Sequence, residues 1–269
     1  GRVSLFFGEG DTPDPNDLVL NEIMYDPPSG GSSEYVEVFN RTTDRVFNLR
    51  DFTLDDASIV PTAITDAAAF VSPGDYAVIV QDLDAFRAAF PNFDATGAVV
   101  IEQRGWGTLN NSGDTVILSF SADDPVVIDS VAYLASCGGD GVALERKDPA
   151  GASSSRSNFA TSTDPAGGTP GRQNSVFELD ETPPMLVGAE ALDATRLLVR
   201  FDEPLAQDGA ENPANYTISG GIGEPSAALL APEGDPTDVL LTLGTALSGP
   251  QSYTLTVRGA SDLRGNAIA

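Results

Sequence analysis

Short apolar runs separated by turn residues make up most of this chain. The clearest lies in residues 18–40, which read L-V-L-N-E-I-M-Y-D-P-P, a Gly/Ser tip over 29–33, then E-Y-V-E-V-F-N. Two runs of strand-forming residues, parted by Pro27, Pro28, Gly30 and Gly31, predict paired or neighbouring β-strands. In the second run Tyr35, Val36, Val38 and Phe39 leave only Glu34, Glu37 and Asn40 polar, which predicts a central strand. Further short strands are expected at 45–49, 51–54, 98–102, 115–120, 126–134 and 142–146. The unbroken run Y-A-V-I-V at 76–80 predicts a buried strand. One helix stands out over 82–90: Asp82 caps it, Leu83, Phe86 and Phe90 share a face, and Pro91 stops it.

Near the N-terminus, R-V-S-L-F-F alternates so that Val3, Leu5 and Phe7 face one way and Arg2 and Ser4 the other; residues 1–8 therefore read as a strand. Residues 9–17 are acidic and rich in Pro and Gly, which predicts a linker. A full domain is expected over 18–174, closing with an irregular Gly/Ser/Thr/Pro/Ala tail from 149 that wraps the surface. A second linker at 175–184 leads to a domain over 185–269, with strands at 185–191, 195–201, 215–219, 238–243 and 252–258.

The full length of 269 residues accommodates two cores. Sparse aromatics and plentiful Gly and Pro fit an all-β protein with many turns. Charge narrows the partners further. Fourteen basic against 40 acidic residues give a formal charge of −26, a surface that repels phosphate, so nucleic acid is not an expected partner. Lys147 is the sole lysine; such acidity suits a salt-rich setting or a surface kept soluble by like charge. No cofactor is expected. Calcium is the one ion the acidic linker could take, through Asp11, Asp14 and Asp17, although no EF-hand spacing is present and an ordinary charged linker explains the same residues.

With no histidine, the commonest general base and every Ser-His or Cys-His nucleophile are excluded. Cys137 alone forms no intramolecular disulfide. Forty carboxylates always place some pair together, but no spacing selects a glycosidase-like acid and base, so an enzyme is not expected. No run approaches the ~20 apolar residues of a membrane-spanning helix. Trp106, set among glycines, is either a core plug or a sugar-stacking platform. Sequons begin at Asn40, Asn110 and Asn215. The chain opens on Gly1, as a processed or excerpted sequence does.

N-E-I-M-Y-D-P and E-Y-V-E-V-F-N, followed in order by N-L-R-D-F (48–52), S-P-G-D-Y (72–76), L-N-N-S-G-D (109–114), D-S-V-A-Y (129–133) and G-V-A-L-E-R (141–146), resemble a lamin tail domain in its bacterial, secreted form. The resemblance covers about residues 18–174. Downstream, V-R-F-D-E-P-L, N-P-A-N-Y-T-I, Y-T-L-T-V-R and S-D-L-R-G-N-A-I-A resemble bacterial surface immunoglobulin-like domains over about 182–269. Together these imply an all-β chain of two immunoglobulin-like β-sandwich domains in tandem, with one short helix in the first. They imply binding, display or spacing outside the cell or at its surface, and they carry over no catalytic residue.

A sandwich of this kind has seven strands. In the domains resembled, D-x-x-G-N precedes one last alternating strand, which residues 185–269 do not include; residues 2–7 have its character. Three arrangements follow: residues 2–7 of one copy complete the next copy head-to-tail, the chain is one repeat of a tandem array, or the strand folds back on its own chain. The first two make the chain the repeating subunit of an extracellular filament or stalk, with Arg2, Val3, Ser4, Leu5, Phe6 and Phe7 at the subunit interface. The alternative is an accessory adhesion or polysaccharide-binding module of a larger secreted protein, with a glycan as partner.

Overall fold

A computed structural model describes residues 9–28, 33–56, 62–103, 105, 109–121, 124–232 and 234–269. These form two compact units: those up to Pro149 with Ser153–Leu179, and Ala150–Ala152 with Asp180–Ala269. Both are built from strands.

In the first unit, β1 (Leu18–Met24) and β2 (Tyr35–Asn40) pair antiparallel as the residue pattern requires. They lie in the middle of a six-stranded sheet of order β11-β10-β1-β2-β6-β7. The remaining members are β6 (Tyr76–Val80), β7 (Ala98–Glu102), β10 (Leu144–Arg146) and β11 (Phe159–Thr161). The β6–β7 pair is parallel, which obliges a crossover, and α1 (Leu83–Ala89) supplies it. Asp82 caps that helix by accepting from Ala85 N at 2.9 Å.

A smaller three-stranded sheet, β4 (Phe52–Asp56), β8 (Gly113–Phe120) and β9 (Val126–Leu134), packs opposite. Leu20, Val36, Val38 and Ile79 of the large sheet meet Phe52, Leu54, Leu118 and Val131 of the small one in a buried core. The short strands β3 (Phe47–Asn48) and β5 (Phe70–Val71) pair beside it. Arg146 and Asp129 tie the two sheets together. Arg146 donates to Asp129 Oδ2 at 3.0 Å and to Leu20 O at 2.8 Å, while Leu20 N donates to the same carboxylate oxygen at 2.7 Å, at the bulge of β1.

The outward face of the large sheet is buried as well. At one end Met24, Tyr35, Val78 and Val80 lie beneath Phe86 of α1. At the other, Glu145, Glu22 and Glu37 stand in register on three adjacent strands, each at most 1% exposed. Residues 168–176 cover them and are held by them: Thr169 N donates to Glu22 Oε1 at 2.8 Å, Gly171 N to Glu37 Oε2 at 2.5 Å and Val176 N to Glu145 Oε2 at 3.1 Å. Gly168 is required here, because a Cβ would collide with the Tyr35 hydroxyl and Glu22.

Several boundaries differ from the residue pattern. Residues 9–17 are docked on the first unit instead of hanging as a linker: Asp11 N donates to Val46 O at 2.8 Å and Asn16 N to Ile128 O at 2.7 Å. Backbone bonding overrode composition there. Residues 175–179 of the second expected linker also belong to the first unit. The tail from 149 is less irregular than expected, since β11 extends the large sheet.

The second unit carries a four-stranded antiparallel sheet of order β12-β13-β16-β15, made of β12 (Leu186–Ala191), β13 (Arg196–Phe201), β15 (Ala227–Leu230) and β16 (Asp238–Thr242). Facing it is the pair β14 (Tyr216–Ile218) and β17 (Leu255–Val257). Leu197, Val199, Phe201, Val239 and Leu241 pack with Tyr216, Ile218 and Val257. A four-residue helix, α2 (Gln207–Ala210), adds to the single helix expected; Ala210 O accepts from the Tyr216 hydroxyl at 2.7 Å.

Candidate functional site

The second unit leaves part of its core uncovered. In antiparallel register Leu186 opposes Phe201, Ala189 opposes Val199 and Ala191 opposes Leu197, so each pair shares the inward face. All three β13 members are buried, yet every residue of β12 is exposed, with Leu186 at 41% and its neighbours Met185 and Val187 at 62% and 66%. Cover over that face stops at β13. In the opposing pair β17 has β14 as its ladder neighbour, leaving its other edge open among the described residues. An uncovered inward strand, together with an open edge in the opposing pair, is what one further strand would cover.

Residues 2–7 and Trp106, the sequence-derived interface and sugar-stacking candidates, lie outside the described residues. Asp11, Asp14 and Asp17 come together, but around a cation the chain already provides: Asp14 and Asp17 both pair with Arg45, and Asp11 Oδ2 accepts from Val46 N at 2.8 Å. Their contacts brace the docked segment. Of the sequons, Asn40 is fully buried and donates to Arg45 O and Val71 O, so its amide nitrogen is closed to a glycan. Asn215 donates to Gly209 O at 2.8 Å, whereas Asn110 is exposed. Cys137 is free and half-buried.

Two features escaped the residue pattern. Asp180, Glu203 and Asp262 bring one oxygen each to within 4.8 Å of one another. Asp262 is already engaged, with Oδ1 accepting from the amides of Arg264, Gly265 and Asn266 and Oδ2 from the Asn266 side chain. Burial, then the charges of Asp180 and Asp262, push the Glu203 carboxyl up to about 7, so it keeps a proton near neutrality. Only the fold unites three acids so far apart in the chain.

The second is a cleft of about 430 Å³ on the first unit, lined by Phe90, Pro91, Phe93, Asp94, Pro170 and Arg172. Arg172 faces Asp164 at 2.6 Å. It combines aromatic rings with carboxylates and a guanidinium.

Residues 11–135, a little under half of the chain, match the family model described as Lamin Tail Domain. The match begins inside the acidic segment, in agreement with the docking of residues 11–17 on the first unit. No curated protein and no solved structure matches the chain.

Proposed function

Proceeding from the lamin tail match, we propose that the chain is an extracellular structural protein, the repeating subunit of a surface filament or stalk. The observation that carries this reading is the uncovered inward face of β12 together with the open edge of β17. Seven-stranded immunoglobulin sandwiches place strands A, B, E and D in one sheet and C, F and G in the other. β12-β13-β16-β15 corresponds to A-B-E-D and β14-β17 to C-F. The position beside β17, over β12, is that of G.

Residues 2–7 suit that position, since Val3, Leu5 and Phe7 would turn toward Leu186, Ala189 and Ala191 while Arg2 and Ser4 face water. A strand donated by one copy to the next does not close on itself, so repetition produces a fibre. A chain continuing through tandem copies builds the same contact covalently.

Deleting residues 1–8 and imaging the product by electron microscopy tests the reading. Loss of assembly is the expected result, with a peptide of residues 1–8 added in trans restoring the stability of the second unit but not the fibre. Unchanged assembly and stability would sink it.

A second reading, an accessory module that binds polysaccharide, is supported by the cleft at Phe90 and Phe93, where rings and carboxylates are the groups sugars use. A glycan array giving no signal, or a Phe93→Ala variant with undiminished binding, would remove it.

A further inference from the structure

Glu22, Glu37 and Glu145 raise a question of charge. Three carboxyl groups stand side by side in a fully buried row, and no basic side chain hydrogen-bonds to any of them among the described residues. Ionised together they would repel in a medium that screens poorly. Their oxygens lie where one shared proton would connect them.

Glu22 Oε1 accepts from the Tyr35 hydroxyl at 2.6 Å and from Thr169 N at 2.8 Å. Its other oxygen, Oε2, lies 3.2 Å from Thr169 Oγ1, and that same hydroxyl lies 2.8 Å from Glu145 Oε1. A threonine hydroxyl has one proton to give. Spent on the nearer Glu145, it leaves Glu22 Oε2 facing a bare oxygen, a contact that becomes a hydrogen bond only if Glu22 carries its own proton. The chain then runs Glu22 Oε2–H to Thr169 Oγ1–H to Glu145 Oε1.

We infer that this one proton fastens residues 169–176 to the sheet, making the segment a pH-sensitive latch that loosens as the proton is lost. The surroundings favour its retention. Burial, followed by the Glu145 charge, outweighs the donors and pushes Glu22 up to about 8, and burial with the Glu22 charge moves Glu37 in the same direction. The other groups facing the row supply no compensating charge. Tyr35 on β2 is driven well above its ordinary range by burial and Glu22, and Tyr76 on β6 reaches about 12 through burial and Glu37, so both stay neutral. On the covering segment Arg172 is turned to Asp164, and beyond it Glu178 pairs with Lys147. Asp84 and Arg87 of α1 point to solvent, while the helix presents Phe86 and Phe90 to Tyr35.

An open segment exposes Glu22 to water, where its pKa returns to an ordinary value. Opening therefore releases a proton, and becomes easier as pH rises from about 4.5 until the closed-state value near 8 is passed.

Amide exchange at Thr169, Gly171 and Val176 in the intact chain, corrected for intrinsic rates, reads this directly. Protection should fall by about tenfold per pH unit between pH 5 and 8 and level off above. Glu22→Gln, whose amide can donate to Thr169 Oγ1, should flatten that slope, leaving only what Glu37 beneath Gly171 contributes. Carboxyl carbon shifts in the unaltered protein give a second measurement that does not depend on the variant folding: Glu22 and Glu37 should titrate above the ordinary glutamate range. An unchanged slope in Glu22→Gln, carboxyls all titrating in the ordinary range, or a metal ion copurifying in the row would each overturn the latch.

Discussion

Glu22 and Glu145 stand directly opposite each other on neighbouring antiparallel strands, both buried, with the hydroxyl of Thr169 bridging their carboxyl groups. Like charges so placed destabilise a sheet. This sheet tolerates the pair because a third group stands between them. Thr169→Val, similar in volume but without the hydroxyl, should cost about 1–3 kcal/mol by leaving carboxyl oxygens without partners. Thr169→Ser, which keeps the hydroxyl, should cost clearly less. Urea unfolding of both variants at pH 6 decides between a bridging role and simple packing.

Arg146 is the largest fully buried side chain among the described residues, and its pair with Asp129 joins the two sheets at the β1 bulge. Burial, aided by the Arg41 charge, drives its guanidinium below the usual range, and the Asp129 charge opposes that. Arg146→Ala should destabilise the first unit by about 3–5 kcal/mol, because it strands a buried carboxylate. Replacing both residues together, as Arg146→Met with Asp129→Asn, should cost less than Arg146→Ala alone. Denaturant midpoints of the two proteins make the comparison.

In the second unit, Glu203 sits among Asp180, Asp202 and Asp262 and holds its proton up to about 7. A carboxyl whose folded pKa is raised favours the folded state most below its unfolded value near 4.5, and that advantage is lost as pH climbs through 7. Glu203→Gln should leave the melting temperature unchanged at pH 4 and raise it at pH 8. Equal shifts at both pH values would show that packing, not charge, controls the site.

Leu186 is exposed yet lies on an inward-facing position. Leu186→Glu should alter the stability of the isolated chain by no more than about 0.5 kcal/mol, as surface changes do, while abolishing the proposed assembly over β12. Sedimentation and calorimetry on the same sample separate the two effects.

Much of the architecture was legible because strand patterning is local. The alternation in residues 18–40, the run Y-A-V-I-V and the Asp82 cap gave β1, β2, β6 and α1 nearly to the residue. β5, β11 and β15 were not legible: each is two to four residues long and exists as a strand through its partner. Residues 9–17 misled for the opposite reason: acids, prolines and glycines signal a loop, but the docking depends on Val46 O, Ile128 O and Arg45, contributed from elsewhere in the chain. Among candidate site residues, Asp14 and Asp17 converge on Arg45, while Asp11 accepts from Val46 N beside it.

Alternation and turn chemistry within the sequence determined that this is an all-β chain with an apolar inward face on each principal strand, because those properties depend on residues a few positions apart. Which polar residues would be sealed inside was settled only by the tertiary structure. Glu22, Glu37 and Glu145 look like ordinary solvent-side positions until residues 168–176 close over them, and the exposed face of β12 emerges only when the opposing strands are counted in space. Burial is a property of what lies across the sheet, and that is fixed by contacts between segments more than a hundred residues apart, as between Glu22 and Thr169.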